Sequence, residues 1–309
     1  MRGEKGFALV LTLVVTALMV AAAVELIHQA YVDTSLSRGF RDGQQASLLA
    51  ESGAYGGIKL LQTVLSGQDY TSLSDKWAVP FKQEDETGRI EITVSEESGK
   101  INLNSLVQPN GTADPKIKEV LKRLGKELQI SEDVWNALAD WIDTDDLPLA
   151  GGAESSYYKS LNPPYSARNG KMMTVSELSL VKGFTLDMVN KLMPFVTVYP
   201  NLAAEPSLSV NVNTAPKEAL MALDSGIDDQ MAEKILEQRR VSPFKVTDKP
   251  SSRVDPLLDN LTSRDGVTLR YKGTVFRITA RGFVKDAART VEAVVRVDGT
   301  PVILSWQEY

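Results

Sequence analysis

The first stretch of the chain limits what it can fold into more than any other. Phe7 to Val24 carry no charged side chain, and Arg2, Glu4 and Lys5 precede them. A helix of that run is roughly 27 Å long, which is close to the hydrocarbon thickness of a bilayer. The sequence therefore predicts a membrane-spanning helix near the N-terminus.

The position of a cleavage site decides what kind of segment this is. A secretory signal peptide would show a small-residue cleavage site behind the apolar run, and none follows Val24. The one cleavable-looking position is Gly6-Phe7, where a charged leader meets the apolar helix. This junction resembles the class III signal of type IV pilins and type II secretion pseudopilins, which a dedicated peptidase cuts after the glycine. The resemblance implies a mature chain that starts at Phe7 and stays anchored, with Arg2 and Lys5 on the cytoplasmic side.

Composition narrows the function classes. The 309 residues are 43% hydrophobic, which is enough for one membrane helix and a large body. A formal net charge of -6 disfavours binding to nucleic acid. The chain has no cysteine, which excludes disulfides, thiolate metal sites and cysteine nucleophiles. It also lacks a Gly-rich phosphate loop and a nucleophile elbow, and its one histidine, His28, lies beside the apolar run, so we do not expect an enzyme.

Helical spacing continues beyond the apolar run, from Glu25 to about Leu65. Glycines recur in this stretch, and each costs about 0.8–1 kcal/mol against alanine inside a helix. Two interpretations stay open. Either Arg38-Gly39 and Asp42-Gly43 are loops between two helices, or the small residues Gly53 and Gly57 let one helix lie close against a sheet.

Alternating apolar residues predict β-strands on both sides of a long central region. The early candidates are Trp77 to Phe81, Arg89 to Val94 and Lys100 to Asn104, and the late ones are Tyr271 to Phe283, Arg289 to Val297 and Pro301 to Trp306. The sheet is therefore predicted to be split, with a mostly helical insertion between its two parts.

The insertion contains a faint internal duplication. Lys100 to Ser105 (KINLNS) and Ser209 to Thr214 (SVNVNT) share the spacing of their asparagines, and a proline and a helical stretch follow each. Two related helical lobes are expected, with helices at Pro115 to Leu128, Glu132 to Ile142, Ser176 to Leu192 (a hairpin around Gly183), Lys217 to Leu223 and Asp228 to Arg240. Pro216 fits the first turn of a helix, and Thr214 is a candidate N-cap.

The second lobe is similar to helix-hairpin-helix DNA-binding modules. The similarity lies in Asn211 to Pro216 before a helix, Gly226-Ile227 at the hairpin, and Arg239-Arg240 at the end of a second helix. Those modules offer backbone N–H groups at the hairpin to a phosphate. Here Asp228 and Asp229 follow the hairpin and would repel a phosphate. A protein-packing role is therefore favoured over DNA binding.

The densest acidic cluster lies in the first lobe. Asp140, Asp143, Asp145 and Asp146 fall within seven residues, and Glu154 follows. Ca²⁺ takes about six to eight oxygen ligands in a flexible geometry. The spacing is not that of an EF-hand, because a proline replaces the obligatory glycine. Composition leaves two interpretations open: a solvated acidic loop, or a metal site in which an ion relieves the repulsion among the carboxylates.

Together these features resemble the general secretion pathway protein K family, the large minor pseudopilin of the type II secretion system. The resemblance rests on these motifs in this order: Gly6-Phe7, Asp140 to Asp143, Gly152 to Glu154 with Tyr158, Asn211 to Pro216, and a closing strand with Trp306. It implies an α+β fold, in which a pilin-like long N-terminal helix packs on a small antiparallel sheet that carries a large inserted α-helical domain of SAM or helix-hairpin-helix type.

The resemblance also implies a domain organisation and a metal. The expected parts are a cleaved leader (1–6), a transmembrane helix (7–27), a pilin-like domain with its helix and first strands (28–99), an inserted helical domain (100–265, with lobes at about 100–200 and 207–265), and the last pilin-like strands (266–309). Ca²⁺ is expected near the acidic loop, with most of its ligands drawn from Asp140, Asp143, Asp145, Asp146 and Glu154. The stretch from Ser242 to Asp265 matches none of the motifs.

The implied location is the tip of the pseudopilus, where the protein initiates or caps assembly for export across the outer membrane. The implied partners are two other minor pseudopilins, of the I and J types, the major pseudopilin, prepilin peptidase and the inner membrane. The secretin and the exported proteins are further candidates, and nucleic acid is not expected. The body would lie in the periplasm, and the mature N-terminus would be methylated.

Leu11 bears on the place of the protein in a filament. It is the fifth residue after the predicted cleavage site, where pilins carry a glutamate that meets the N-terminal amine of the neighbouring subunit. A subunit without this carboxylate needs no predecessor, which suits the first subunit at a tip. Two alternatives remain: a membrane-anchored DNA-uptake protein with the second lobe as its DNA-binding module, and a minor pilin of a type IV pilus.

Overall fold

One continuous helix forms the first element of the chain. The structure is a computed structural model that describes residues 4–201, 208–247, 254, 258 and 267–309, without the side chains of residues 4–6. Helix α1 runs over Glu4–Leu65. Its side chains from residue 7 to residue 41 are exposed, and it is the one candidate membrane span in the described part of the chain. The predicted continuation of the helix to Leu65 is confirmed.

The sheet beneath α1 explains its buried glycines. A Cβ on Gly57 would lie 2.9 Å from Cγ2 of Ile278, and one on Gly53 would lie 3.1 Å from Cβ of Ala280. Side chains at either position would push the helix off the sheet. The neighbouring Gly56 has nothing within 4 Å of that position. Close packing at Gly53 and Gly57 is therefore confirmed, and the alternative that divided the stretch into two helices is wrong.

Five antiparallel strands form that sheet. They are β1 (Phe81–Asp85), β2 (Gly88–Glu96), β7 (Val275–Val284), β8 (Ala287–Arg296) and β9 (Val302–Glu308), and they lie in the order β1-β2-β7-β8-β9. Ala50 and Ala54 of α1 are fully buried against Ala280 and Val291 of the sheet. The predicted fold class, a long N-terminal helix on a small antiparallel sheet, is confirmed.

The first predicted strand, from Trp77 to Phe81, is wrong. Lys76–Ala78 forms a single 3-10 turn, and β1 begins only at the last residue of the predicted segment. Oδ2 of Asp75 accepts a hydrogen bond from the indole N–H of Trp77 at 3.1 Å, which turns the ring inward. The ring lies 5.2 Å from that of Phe276, in the core between α1 and the sheet. The burial of the Trp77 ring therefore outweighs the strand preference that the alternating apolar residues indicate.

The insertion leaves the sheet after β2 and returns at β7. Its helices are α2 (Pro115–Glu127), α3 (Val134–Ile142), α4 (Ser155–Lys159), α5 (Leu186–Leu192), α6 (Lys217–Leu223) and α7 (Asp229–Val241), and its short strands are β3 (Ile101–Asn102), β4 (Val196–Thr197), β5 (Leu208–Asn211) and β6 (Val267–Arg270). The first arm of the predicted hairpin at 176–192 is a 3-10 helix, Val175–Leu180.

The far boundary of the insertion differs from the expected one. Strand β6 pairs in parallel with β5 and not with the five-stranded sheet, so the insertion extends beyond residue 265. Strand β7 begins at Val275 rather than at Tyr271, because the chain first has to pass from β6 to the large sheet. Most of Ser242 to Asp265, which no motif explained, lies outside the described residues.

The internal duplication is visible in the hydrogen bonds. Each copy begins with a short strand in a parallel pair, β3 with β4 and β5 with β6. In the first copy, Nδ2 of Asn104 donates to the carbonyl of Met172 at 3.0 Å, and its Oδ1 accepts from the N–H of Met172 at 2.7 Å. In the second copy, Asn213 makes the same two bonds with Phe244, each at 2.8 Å. The repeated asparagine motif therefore marks two copies of one local structure.

Glu96 joins the sheet to the second copy. It ends β2 and is 6% exposed. Its Oε1 accepts hydrogen bonds from the Asn211 amide at 2.6 Å and from the Thr214 hydroxyl at 2.9 Å, and burial raises the pKa of Glu96 to about 7. The prediction that Thr214 is the N-cap of α6 is therefore wrong, and Pro216 takes that position. The insertion is fastened to the end of β2 by side chains as well as by the chain itself.

Candidate metal centre

Helix α3 holds two of the predicted acidic ligands. Its side chains Trp135 and Leu138 are fully buried in the core of the insertion and fix the rotation of the helix. Asp140 lies on the same helix and is inaccessible to solvent, and Asp143 is the C-terminal cap and is 7% exposed. The end of α3 therefore places two carboxylates where little water can stabilise their charge.

Glu154 completes a cluster of three carboxylates. It is the N-cap residue of α4 and is 2% exposed. One carboxylate oxygen of each of Asp140, Asp143 and Glu154 lies within 4.8 Å of the other two. Oxygens that bind one Ca²⁺ at about 2.3–2.6 Å can be up to about 5 Å apart. The three groups therefore stand close enough to bind a single cation together.

The loop between α3 and α4 is held in place by other side chains. Both carboxylate oxygens of Asp140 accept the N–H of Leu149 at 3.2 Å, and the Asn136 amide donates to the Ala150 carbonyl at 2.8 Å. The ammonium of Lys182 donates to the next two carbonyls along the loop, at 3.2 and 3.0 Å. The residues that lead into Glu154 are therefore positioned by contacts with the protein itself.

Two glycines let this loop close over α3. A Cβ on Gly152 would overlap the carboxylate of Asp140, so only glycine can occupy that position. Gly151 has a φ of +78°, a conformation that costs other residues more than glycine. The glycine pair that precedes Glu154 in the sequence is therefore a requirement of the close approach between the loop and Asp140.

The electrostatics of the cluster favour a cation. Oδ1 of Asp143 and both oxygens of Glu154 are buried and have no hydrogen-bond partner in the part of the chain that the structure describes. Burial, with the neighbouring charges of Asp145 and Asp140, raises the pKa of Asp143 to about 6. Burial, with the charges of Asp143 and its neighbours, raises the pKa of Glu154 to about 7. Carboxylates in this state are stabilised by a proton or by a metal ion.

The residues present fit a hard divalent cation. The donors are carboxylate oxygens, which suit Ca²⁺ or Mg²⁺ rather than soft metals. Of the five predicted ligands, the structure brings Asp140, Asp143 and Glu154 together. Asp145 and Asp146 lie exposed on the loop, where Oδ1 of Asp145 accepts the N–H two residues on, at 2.8 Å. Asn136 and Lys182 could not be predicted as supports of the loop, because their contacts with it arise only in the folded chain.

The raised pKa values predict how the stability of the protein depends on pH when no metal ion is bound. The ordinary values for these groups are 3.8 and 4.5, so the folded chain keeps protons that the unfolded chain has already released. Their contribution to the free energy of unfolding is present at low pH and is lost as the pH rises through about 7. Thermal unfolding in chelator should therefore show a melting temperature that falls between pH 5 and pH 8.

The control for that scan is the same scan in excess Ca²⁺. A bound cation replaces the protons, so the fall in melting temperature that this cluster causes between pH 5 and pH 8 should disappear. The buried Glu96 titrates equally in both series and cancels in the difference. Parallel curves across the pH range would contradict a role of the cluster in binding the ion.

The hairpin of the second lobe does not offer a phosphate site. The side chain of Asp228 accepts the N–H of Met231 at 2.8 Å and so occupies the start of α7. Asp229 pairs with Lys217 at 2.8 Å, which also places a carboxylate beside the hairpin. The backbone groups that helix-hairpin-helix modules present to DNA therefore face the protein's own acidic side chains.

Comparisons with known proteins agree with one another. Family models described as "Type II secretion system (T2SS), protein K" match residues 99–201 and 210–250. The chain is 32% identical over 264 residues to the type II secretion system protein K of Pseudomonas aeruginosa, across 80% of this chain and 76% of that protein. It is 26% identical to the protein of the same name from Aeromonas hydrophila, across 95% of this chain and 93% of that one.

One solved structure has a similar fold. It belongs to the GspK-GspI-GspJ complex of enterotoxigenic Escherichia coli, with a TM-score of 0.73 and 21% identity. The alignment covers 88% of this chain and 99% of that chain. The likeness therefore includes both the helix on its sheet and the insertion.

Proposed function

The chain belongs to the type II secretion system protein K family, and from this we propose that it lies at the tip of the pseudopilus and initiates or caps its assembly. Members of this family are minor pseudopilins, which are structural components of the secretion machinery. The assembly that the protein would start or cap serves protein export across the outer membrane.

The division of α1 is the observation that carries this proposal. From residue 7 to residue 41 the helix is exposed on every side and begins with the apolar run, whereas from Asp42 onward it forms the core of the pilin-like domain. A helix that is apolar and has no partner in its own chain requires another apolar environment. A bilayer and the helices of neighbouring subunits both provide one.

Two features favour the tip over the shaft. Leu11 replaces the glutamate by which a pilin subunit would meet its predecessor, and a charge at the centre of a membrane helix costs about 2.5–3.5 kcal/mol without a partner. The insertion comprises the whole chain between β2 and β7 and would be hard to accommodate between stacked subunits. Both features are compatible with a first subunit and disfavour an internal one.

The orientation and partners follow from the same proposal. The N-terminal helix anchors the protein in the inner membrane with its body in the periplasm. The related solved protein is in a complex with GspI and GspJ. We extend that to minor pseudopilins of the I and J types as partners of this chain, with the major pseudopilin, the secretin and exported proteins as further contacts. Ca²⁺ would be structural, held by Asp143, Glu154 and Asp140.

The anchor predicts a specific N-terminus. Prepilin peptidase should cut between Gly6 and Phe7 and leave the apolar helix in the mature protein, with its new amine methylated. Mass spectrometry of the chain purified from membranes should therefore find Phe7 as the first residue. The same chain from cells without the peptidase is the control and should keep residues 1–6. A mature chain that begins after residue 20 would overturn the anchor and the orientation.

A further inference from the structure

A cavity of about 350 Å³ lies where the pilin-like domain meets the second lobe. On one side it is bounded by the stretch that follows α1, and on the other by the last turn of α7. Its lining residues are Ser72, Leu73, Ser74, Asn213, Leu236, Arg239 and Arg240. The cavity thus has positive charge on one wall and hydroxyl groups on the other.

The charge of Arg239 is directed at neutral groups of the protein. Its Nη1 donates to the backbone carbonyls of Val212 at 2.8 Å and Ala215 at 2.7 Å, and both acceptors are neutral. Among the residues that the structure describes, no carboxylate forms an ion pair with Arg239 or Arg240. Half-buried charges usually have a counter-charge in native proteins, because the loss of hydration is otherwise uncompensated.

The neighbouring arginine adds to this imbalance. Burial and the charge of Arg240 lower the pKa of Arg239 to about 10, which means that the cationic form is disfavoured at this place. The last turn of a helix favours cations only weakly, which does not remove the repulsion between two adjacent guanidinium groups. An anion in the cavity would stabilise both.

The opposite wall can donate a hydrogen bond to such an anion. The Oγ atoms of Ser72 and Ser74 are 2.9 Å apart, and the N–H of Ser74 donates to Oγ of Ser72 at 3.2 Å. Whichever hydroxyl donates to the other, one hydroxyl hydrogen of the pair is left over. Oδ2 of the nearby Asp75 accepts the Ser72 N–H at 2.9 Å and the Trp77 indole N–H at 3.1 Å.

We propose that this cavity is a binding site for an oxyanion, a carboxylate or phosphate group held by Arg239, Arg240 and the Ser72–Ser74 hydroxyl pair. Guanidinium groups bind such anions through two parallel hydrogen bonds, and hydroxyls complete the shell. The anion is either a free small ion or the acidic side chain of a polypeptide that docks here. Bound across the cavity, it fastens the stretch after α1 to α7.

The test uses the full chain in detergent micelles and isothermal titration with four probes. These are sodium phosphate, sodium acetate, a pentaglutamate peptide and a pentaglutamine peptide, each at equal ionic strength. Arg240→Gln is the variant, because Arg240 is exposed and supports no backbone carbonyl that the structure describes. Lys234→Gln is the matched control, since it removes the same charge from an exposed position of α7 outside the cavity.

We expect saturable binding of an oxyanion to the wild-type chain and to Lys234→Gln, and binding weaker by about ten-fold or more in Arg240→Gln, as for the loss of a charged hydrogen bond. Binding of phosphate or acetate would show that a free small ion can occupy the cavity without a polypeptide. Binding by pentaglutamate alone, with none by pentaglutamine, identifies a polypeptide carboxylate. The proposal is overturned if no oxyanion binds, or if Lys234→Gln weakens binding as much as Arg240→Gln.

Discussion

Removing calcium is expected to lower the melting temperature of the full chain in detergent by about 3–5 °C, because a ligand at 100 times its dissociation constant adds about 2.7 kcal/mol to the free energy of unfolding of this 309-residue chain. Oδ1 of Asp143 and both oxygens of Glu154 are buried with no hydrogen-bond donor among the described residues, so the empty cluster keeps a repulsion that a bound cation would remove. In a chain without cysteine, that is a large share of the total stability. Scanning calorimetry in excess chelator and in excess Ca²⁺ measures the difference.

The substitution Asp143→Asn separates ion binding from simple damage to the fold. It removes one ligand charge and one source of repulsion on Glu154. The variant should therefore melt in chelator at or above the wild-type temperature, and should gain little from Ca²⁺. Asp187→Asn, at an exposed position of α5, is the control and should keep the full calcium effect. Wild-type curves that coincide with and without Ca²⁺ would mean that the buried carboxylate cluster does not bind this ion.

Gly57→Leu is expected to destabilise the pilin-like domain by about 1–3 kcal/mol, the usual cost of inserting atoms into a packed core. A Cβ at this position already lies 2.9 Å from Cγ2 of Ile278, and a leucine adds three more carbons toward the sheet. Helix α1 would have to move away from β7, which exposes the alanines packed beneath it. Denaturant unfolding of the full chain, followed by tryptophan fluorescence, measures the loss.

Gly56→Leu is the matched control on the adjacent residue of α1. Gly56 is exposed and has nothing within 4 Å of its Cβ position. The change should stabilise the chain by about 0.5–1 kcal/mol, since leucine is a better helix former than glycine. The two variants should therefore move in opposite directions. Equal effects would mean that close packing of α1 on the sheet is not what retains glycine at residue 57.

The main elements of the fold could be predicted because each has a local signal. The apolar run, the helical spacing up to Leu65 and the alternating strands are all properties of neighbouring residues. The glycines of α1 could not be interpreted in the same way. Whether Gly53 and Gly57 end a helix or allow close packing depends on β7, which lies more than 200 residues away, so the sequence left both interpretations open.

The errors have a common physical cause, which is burial by distant partners. Trp77 lies in a stretch that alternates like a strand, but the Asp75 carboxylate and the ring of Phe276 turn it into the core. Thr214 has the properties of an N-cap, but Glu96 at the end of β2 takes its hydroxyl. In both cases a contact that only the folded chain creates outweighs a local preference.

The acidic cluster could be predicted from the sequence as a region, but its members could not, and metal binding stays a prediction. Five acidic side chains close in sequence predicted a site, and three of them meet in space. Burial separates them from the other two: Asp140 and Asp143 belong to a buried helix end, whereas Asp145 and Asp146 follow it on an exposed loop. Lys182 holds that loop from a distant segment, and no spacing in the sequence indicates it.

The central claim is that this minor pseudopilin occupies the tip of the pseudopilus, and immunogold labelling of overproduced pseudopili tests it most directly. Antibodies against the insertion should label one end of each filament, because Leu11 offers no carboxylate to a predecessor and the large insertion would be hard to accommodate between stacked subunits. Antibodies against the major pseudopilin are the control and should label the whole length. Label for this protein spread evenly along the shaft would contradict the assignment.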